Sequence, residues 1–182
     1  MGNVNRTTPT LFVMVGLPAS GKTTRAREIE EERRALRLTP DEWMIPLFND
    51  NDAHGMRNVL EGRFIWLALC ALRDDIDIVL DFGVWAKVER TALRALAVEA
   101  GASCELVYLE IDEDEQRRRR DGRASKEPEL TFNISDEDLA EYQRRFVPPD
   151  ESELSGAELD PPPAGYSSWS SWASEWWPTS IQ

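Results

Sequence analysis

The chain has a single histidine, two cysteines and no apolar run near the ~20 residues that a membrane-spanning helix needs. His54 alone rules out a histidine-rich metal site, and its default place is in the core or on the surface. Cys70 and Cys104 have neither metal-ligand spacing nor the density of a disulfide framework, which points to a reducing cytoplasm. Met1 to Pro9 lacks the apolar stretch of a secretory leader and reads as a polar, frayed start. Basic residues are also short, with 21 Lys and Arg against 34 Asp and Glu, a net charge of −13. None lies beyond Pro149, where six acidic residues follow, so residues 1–149 carry −7 of that charge. So acidic a chain is poorly suited to tracking a phosphate backbone, and a long nucleic-acid partner is disfavoured. What remains suits one domain: 182 residues with 41% hydrophobic content can bury a sizeable core.

Against these absences stands one strong motif. Gly16-Leu17-Pro18-Ala19-Ser20-Gly21-Lys22-Thr23 spells G-x-x-x-x-G-K-[ST], the loop that cradles phosphates. Before it, Leu11 to Val15 is a continuous apolar run, suited to a strand covered on both faces of a parallel sheet. After it, Thr24 to Arg37 has no Gly or Pro and is rich in helix-forming Ala, Glu, Arg and Leu. Strand, glycine loop and helix are the context the motif requires. The nucleotide-binding candidates are Gly16, Ala19, Ser20, Gly21, Lys22, Thr23 and Thr24, with backbone N–H groups of residues 19–23 aimed at β-phosphate oxygens at the positive end of the helix. Lys22 would neutralise β/γ charge, and the Thr23 hydroxyl would hold Mg2+. A plain strand–turn–helix needs no Lys-Thr pair there. A nucleoside triphosphate, by default ATP, is the expected ligand.

Further along, Ala35 to Leu38 reads as a short second strand leading into Thr39-Pro40-Asp41-Glu42-Trp43, with Thr39 as helix N-cap and Pro40 at the first turn. Met56, Val59, Leu60, Phe64, Leu67 and Leu72 recur at helical spacing, and Phe64 to Leu72 is apolar nearly all round, a buried helix. Ile76 to Phe82 reads as a third strand, Lys87 to Ala100 as a helix stopped by Gly101, and Cys104 to Ile111 as a fourth strand. Ser135 to Asp138 resembles a capping box opening a helix that Pro148-Pro149 stops. Strands alternating with helices predict an α/β fold: a parallel sheet of four to five strands, helices on both faces, ligands at the carboxyl ends of the strands. A fifth strand is hard to place.

That rule singles out three stretches: the P-loop, Asp41 to Trp43, and Asp81 to Trp85. Asp81 ends an apolar strand, where a carboxylate can hold Mg2+ through water or orient a substrate; otherwise it caps the next turn. Asp41 could accept the proton of an attacking hydroxyl, or merely complement a helix dipole. Glu42 serves the second purpose equally, and spacing does not choose between them. Asp112-Glu113-Asp114-Glu115 followed by Arg117 to Arg120 and Arg123 matches a solvated helix with acid first and base last. Five arginines in seven residues exceed that need, and a lid over about residues 112–134 that stabilises transferring phosphate with at least two of them is the functional alternative. Lys126 to Asn133 is expected to be flexible. Trp43 and Trp85, at strand ends, are either core or a wall for a flat or apolar acceptor.

Taken together, Gly16 to Thr23, Thr39 to Trp43, Asp81-Phe82-Gly83 with Arg90, and Arg119 with Arg123 resemble, in that order, a family of small P-loop kinases that includes chloramphenicol phosphotransferase, the zeta-toxin kinases and the kinase domain of polynucleotide kinase. The resemblance covers about residues 10 to 149, the P-loop being its most specific part. It implies ATP and Mg2+ as cofactors and a small-molecule hydroxyl as acceptor, an antibiotic or a nucleoside-like compound. It makes Asp41 rather than Glu42 the catalytic base beside Lys22, Arg119 and Arg123 the lid arginines, and Arg90 a basic position near an acceptor that Trp43, Asp81 and Trp85 also line. A kinase of nucleic-acid ends, or a nucleotide-gated binding module, are the alternatives.

Residues 150–182 match nothing in that family. Pro161-Pro162-Pro163 is a stiff spacer, and four of the seven tryptophans follow at 169, 172, 176 and 177. Trp169, Trp172 and Trp176 would stripe one face of a helix. Such a segment either docks on this or a neighbouring subunit, giving a homo-oligomer, or hangs free.

Overall fold

The computed structural model describes residues 8–50, 52–126 and 135–181, without the side chains of 123–126. β1 (Thr10–Val15) is buried from Leu11 onward and runs parallel to β3 (Ile78–Leu80) on one side and β4 (Ser103–Tyr108) on the other. β2 (Leu36–Leu38) pairs in parallel with β3, giving the order β2-β3-β1-β4. Because side chains alternate across a strand, the apolar run of β1 feeds two cores. Phe12 and Met14, with Val79, pack on Ala26 and Ile29 of α1 (Lys22–Arg33). Leu11, Val13 and Val15, with Ile78 and Leu80, face the larger core built from α3 (Met56–Arg73) and α4 (Lys87–Glu99). This is the α/β P-loop kinase fold, with four strands among the described residues and no helix there long and apolar enough to cross a membrane.

Local chemistry sets the ends of the helices. α1 stops at Arg34, earlier than the uninterrupted helix-forming composition suggests, because Arg34 turns left-handed and frees Leu36–Leu38 for the sheet. α2 (Asp41–Phe48) takes Pro40, not Thr39, at its N-cap, and no side chain caps it. Thr39 is instead buried at the end of β2. α5 (Glu113–Lys126) and α6 (Asp136–Arg145) follow β4, and Ser135 accepts the N–H of Asp138 as its capping-box pattern predicts. Of the segment expected to be flexible, residues 127–133 lie outside those described.

Residues 150–181 pack on the body. α7 (Glu151–Leu154) places Glu153 against Arg90, and both side chains are almost wholly buried. The pair is two-pronged, Nε to Oε1 at 2.8 Å and Nη2 to Oε2 at 3.0 Å, while Nη1 donates to the carbonyls of Trp85 and Val147. Arg90 is therefore no acceptor contact, contrary to the family resemblance: all of its donors are committed within the protein. Arg90→Ala would strand the Glu153 carboxylate in the core, and such losses cost on the order of 3–5 kcal/mol. A denaturant titration should show that drop; a midpoint within error of wild type would mean the pair is not formed.

The tryptophan stripe is real, and its partner is this chain's own α4. α8 (Trp169–Trp176) buries Trp169 and Trp172 in the larger core together with Trp177, and leaves Trp176 half exposed. Trp172 is the hub, edge-on to Trp169 and Trp177 and stacked on Trp176. Beyond α8 the chain presses on α3, where a Cβ on Gly62 would lie 1.9 Å from the Pro178 carbonyl oxygen. Thr179 Oγ1 donates to Val59 O nearby.

Candidate active site

The P-loop leaves β1 through Gly16, at φ 151°, where a Cβ would fall 2.6 Å from Leu109 O and 2.8 Å from Ser20 Oγ. Ala19 (φ 66°) and Gly21 (φ 100°) are also left-handed, curling the loop so that α1 starts at Lys22. Lys22 Nζ donates to Gly16 O at 2.9 Å and Leu17 O at 2.8 Å, folding back over the loop. Ser20 is buried, and its hydroxyl has no hydrogen-bond partner. An orphaned hydroxyl in a glycine loop at a helix N-terminus fits a phosphate oxygen. Thr23 and Thr24 lie in the first turn of α1, Thr24 exposed and Thr23 turned inward.

β3 lies beside β1, so its end brings Asp81 to the same place. Thr23 Oγ1 donates to Asp81 Oδ1 at 3.4 Å, and Arg37 Nη1 donates to Asp81 Oδ2 at 2.9 Å. Burial pushes the Asp81 carboxyl above its ordinary range, and the Arg37 guanidinium and Thr23 hydroxyl pull it back. Among the described residues no three His, Cys, Asp or Glu side chains converge. A Mg2+ ion would thus rest on Thr23, with Asp81 beside it, and on phosphate oxygens, which suits this donor set.

β2 lies beyond β3, and the first residue after its turn is Asp41, at the start of α2. Asp41 is 58% exposed and pairs with Arg57 at 2.8 Å. Arg57 Nε also holds Glu61 at 3.1 Å, whose carboxyl burial pushes up to about 7 against the pull of Arg57. Glu42 points elsewhere. It accepts from Arg37 and Arg27, and the Arg37 hydrogen bond holds its carboxyl below the ordinary range. Trp43, two residues on, is half exposed with its ring edge-on to Phe64. Trp85 stands over Gly83, packs edge-on to Tyr142 of α6 at 5.0 Å, and carries the Arg145 guanidinium 5.5 Å from its ring centre.

α5 closes over the loop. Arg119 Nη1 donates to Ser20 O at 3.3 Å and Ala19 O at 3.5 Å, with its Nε on Glu115. Arg117, Arg118 and Arg120 pair with Glu113, Glu115, and Asp121 and Asp136, as a solvated helix would. Arg123 lies four residues on from Arg119 in α5, and its side chain is outside those described. Gln116 is fully buried and ties α5 to the loop, donating to Pro18 O at 3.0 Å and accepting from Gln143.

The P-loop, Asp81 and the Asp41–Trp43 stretch follow three neighbouring strands, β1, β3 and β2, with Arg119 reaching the loop from α5 and Arg90 in the core behind Trp85. Four participants were not singled out from the sequence. Arg37 sits in a three-residue strand, Leu-Arg-Leu, with its ion-pair partners at 30, 42 and 81. Arg57 and Glu61 read only as the polar face of a buried helix. Gln116 left a faint signal, being the one uncharged residue between Asp112 and Arg120.

Known structures share this fold. A putative kinase from Chloroflexus aurantiacus j-10-fl superposes with a TM-score of 0.59 at 18% identity, covering 88% of this chain and 85% of that one. A gluconokinase from Sinorhizobium meliloti 1021 gives 0.50 at 17% identity, covering 82% and 81%. A chain of the Pnkp1/Rnl/Hen1 complex gives 0.56 at 18% identity over 65% of this chain, which spans only 41% of that larger one. No curated protein is similar to the chain at a significant level. Residues 11–149, from β1 to the prolines after α6, match the model of the family described as AAA domain. By that match the chain belongs to this AAA-domain family, and its fold is that of P-loop kinases.

Proposed function

We propose that the chain is an ATP- and Mg2+-dependent kinase that phosphorylates a hydroxyl of a small molecule, with an antibiotic or a nucleoside-like compound as the acceptor class. What supports this is Asp81 beside Thr23 at the P-loop, with Asp41 following β2, the strand that pairs with the one Asp81 ends. Asp41 is 58% exposed, so its carboxylate is open to an acceptor hydroxyl. Net charge of −13 disfavours nucleic-acid ends as acceptors. A cytoplasmic setting fits the two free cysteines.

In this mechanism, backbone N–H groups of residues 19–23 and the Ser20 hydroxyl hold the β-phosphate. Thr23, with Asp81 beside it, would hold Mg2+, which when bound would supply charge that offsets the phosphate oxygens. Lys22 leaves its carbonyl partners for the γ-phosphoryl oxygens. Asp41 takes the proton of the acceptor hydroxyl as its oxygen bonds to the γ-phosphorus, the bond to the bridging oxygen breaks and ADP leaves. Arg119 swings from the carbonyls of Ala19 and Ser20 onto the equatorial oxygens, and Arg123 shares its face of α5. Trp43 and Trp85 wall the acceptor.

Incubating the protein with MgATP and a panel of hydroxyl-bearing metabolites and antibiotics, with mass spectrometry for an added phosphoryl group, tests the proposal. Oligonucleotide 5′ ends belong in the same panel; salt-sensitive phosphorylation of those alone would favour the nucleic-acid alternative. Arg119→Ala should lower turnover by about 10²-fold or more with a smaller loss of ATP affinity, because a lid arginine acts chiefly in the transition state. An unchanged rate would return α5 to the role of a solvated helix.

A further inference from the structure

Arg37 is a buried guanidinium held by three carboxylates, and no step above uses it. Its side chain is 7% exposed in the middle of β2, at the edge of the described sheet, and it touches three carboxylates from three elements. Nε donates to Glu30 of α1 at 3.1 Å, Nη1 to Asp81 at the end of β3 at 2.9 Å, and Nη2 to Glu42 in the first turn of α2. The geometry around Asp81 is asymmetric. Oδ2 is taken by Arg37, which leaves Oδ1 for Thr23 and whatever Thr23 holds. A carboxylate as buried as Asp81 is costly unless a cation compensates it, and Arg37 is the guanidinium in contact with it.

We propose that Arg37 is the positioning residue of the metal side of this site: it compensates the buried Asp81 carboxylate and turns Oδ1 toward Thr23, so that Mg2+ binding with nucleotide depends on a residue that touches neither. The planar fork matters, because two of its arms must reach carboxylates of different elements while the third holds Asp81. Glu30 and Glu42 fix the fork in turn. The inference rests on the kinase reading above, since it concerns the same Mg2+ site.

The test is calorimetric titration of the full chain with ADP, with Mg2+ and with EDTA, for wild type, Arg37→Met, Arg37→Lys, Asp81→Asn and the Arg37→Met/Asp81→Asn double variant. Partners that orient a metal's ligands are typically worth 10–100-fold in metal affinity, so the Mg2+-dependent gain in ADP affinity should fall about tenfold or more in Arg37→Met. Asp81→Asn should lose a similar factor, and the double variant no more than either alone. Metal-free ADP affinity should stay at the wild-type value, because the P-loop is untouched. Arg37→Lys keeps the charge without the fork and should recover part of the gain; it is the variant to read if Met does not fold. A full Mg2+ gain in the Arg37 variants overturns the proposal, as does an equal loss of metal-free affinity, which would mean a role in folding alone. A wild-type protein whose ADP affinity ignores Mg2+ would instead count against the kinase reading, and the proposal would fall with it.

Discussion

Lys22→Ala should eliminate nearly all phosphoryl transfer and leave the fold intact. Lys22 opens α1, and its ammonium lies on the carbonyls of Gly16 and Leu17 rather than in either core. When it is lost, the buried Asp81 carboxylate keeps its Arg37 partner, so the cost in stability is small. In the transition state the same ammonium would be a point charge beside developing phosphoryl charge, in a loop otherwise made of backbone dipoles. Preorganised groups of this kind contribute about 10²–10³ in rate each, and a full charge at the transferred group should reach the top of that range or beyond. The check is transfer rate alongside thermal melting: a rate near wild type contradicts the P-loop assignment, and a large drop in melting temperature contradicts the account of Lys22 as a functional residue.

How much of this was legible beforehand depends on whether the interaction is local in sequence. The P-loop was plain, because phosphate binding by backbone N–H groups dictates glycines, a lysine and a hydroxyl at fixed spacing. β1 was equally plain, since a strand covered on both faces has to be a continuous apolar run, and Leu11 to Val15 is one. Asp81 was readable as the acid that ends a buried strand. Strand order needs pairings between distant residues, yet the rule that ligands sit at carboxyl ends already put Asp41 and Asp81 beside the loop. The ionic network was hidden for the same reason that it works. Arg37 meets carboxylates 5, 7 and 44 residues away, and Arg90 meets Glu153 across 63. Motif resemblance put Arg90 near the acceptor because the acidic segment that neutralises it lies outside the matched residues 11–149. The tryptophan spacing revealed a helical stripe, but a stripe does not say what covers it; here that is α4.

Asp41→Asn is the other large effect expected. Asparagine keeps the size of the side chain and can still take a hydrogen bond from Arg57, so the ground state should barely change. It does not accept a proton at working pH, and general-base assistance is typically worth 10²–10⁴-fold, so transfer should fall by about that factor while MgATP binds nearly as to wild type. Glu42 is the internal control. It sits one residue on, with the same chemistry, but its carboxylate is committed to Arg37 and Arg27. Glu42→Gln should lose far less, through a looser hold on Arg37. The decisive measurement is the yield of phosphorylated acceptor by mass, for wild type, Asp41→Asn and Glu42→Gln at matched MgATP occupancy. Product from wild type and Glu42→Gln, with almost none from Asp41→Asn, is the result expected of a kinase with Asp41 as its base. Equal product from all three, or loss confined to Glu42→Gln, would contradict it.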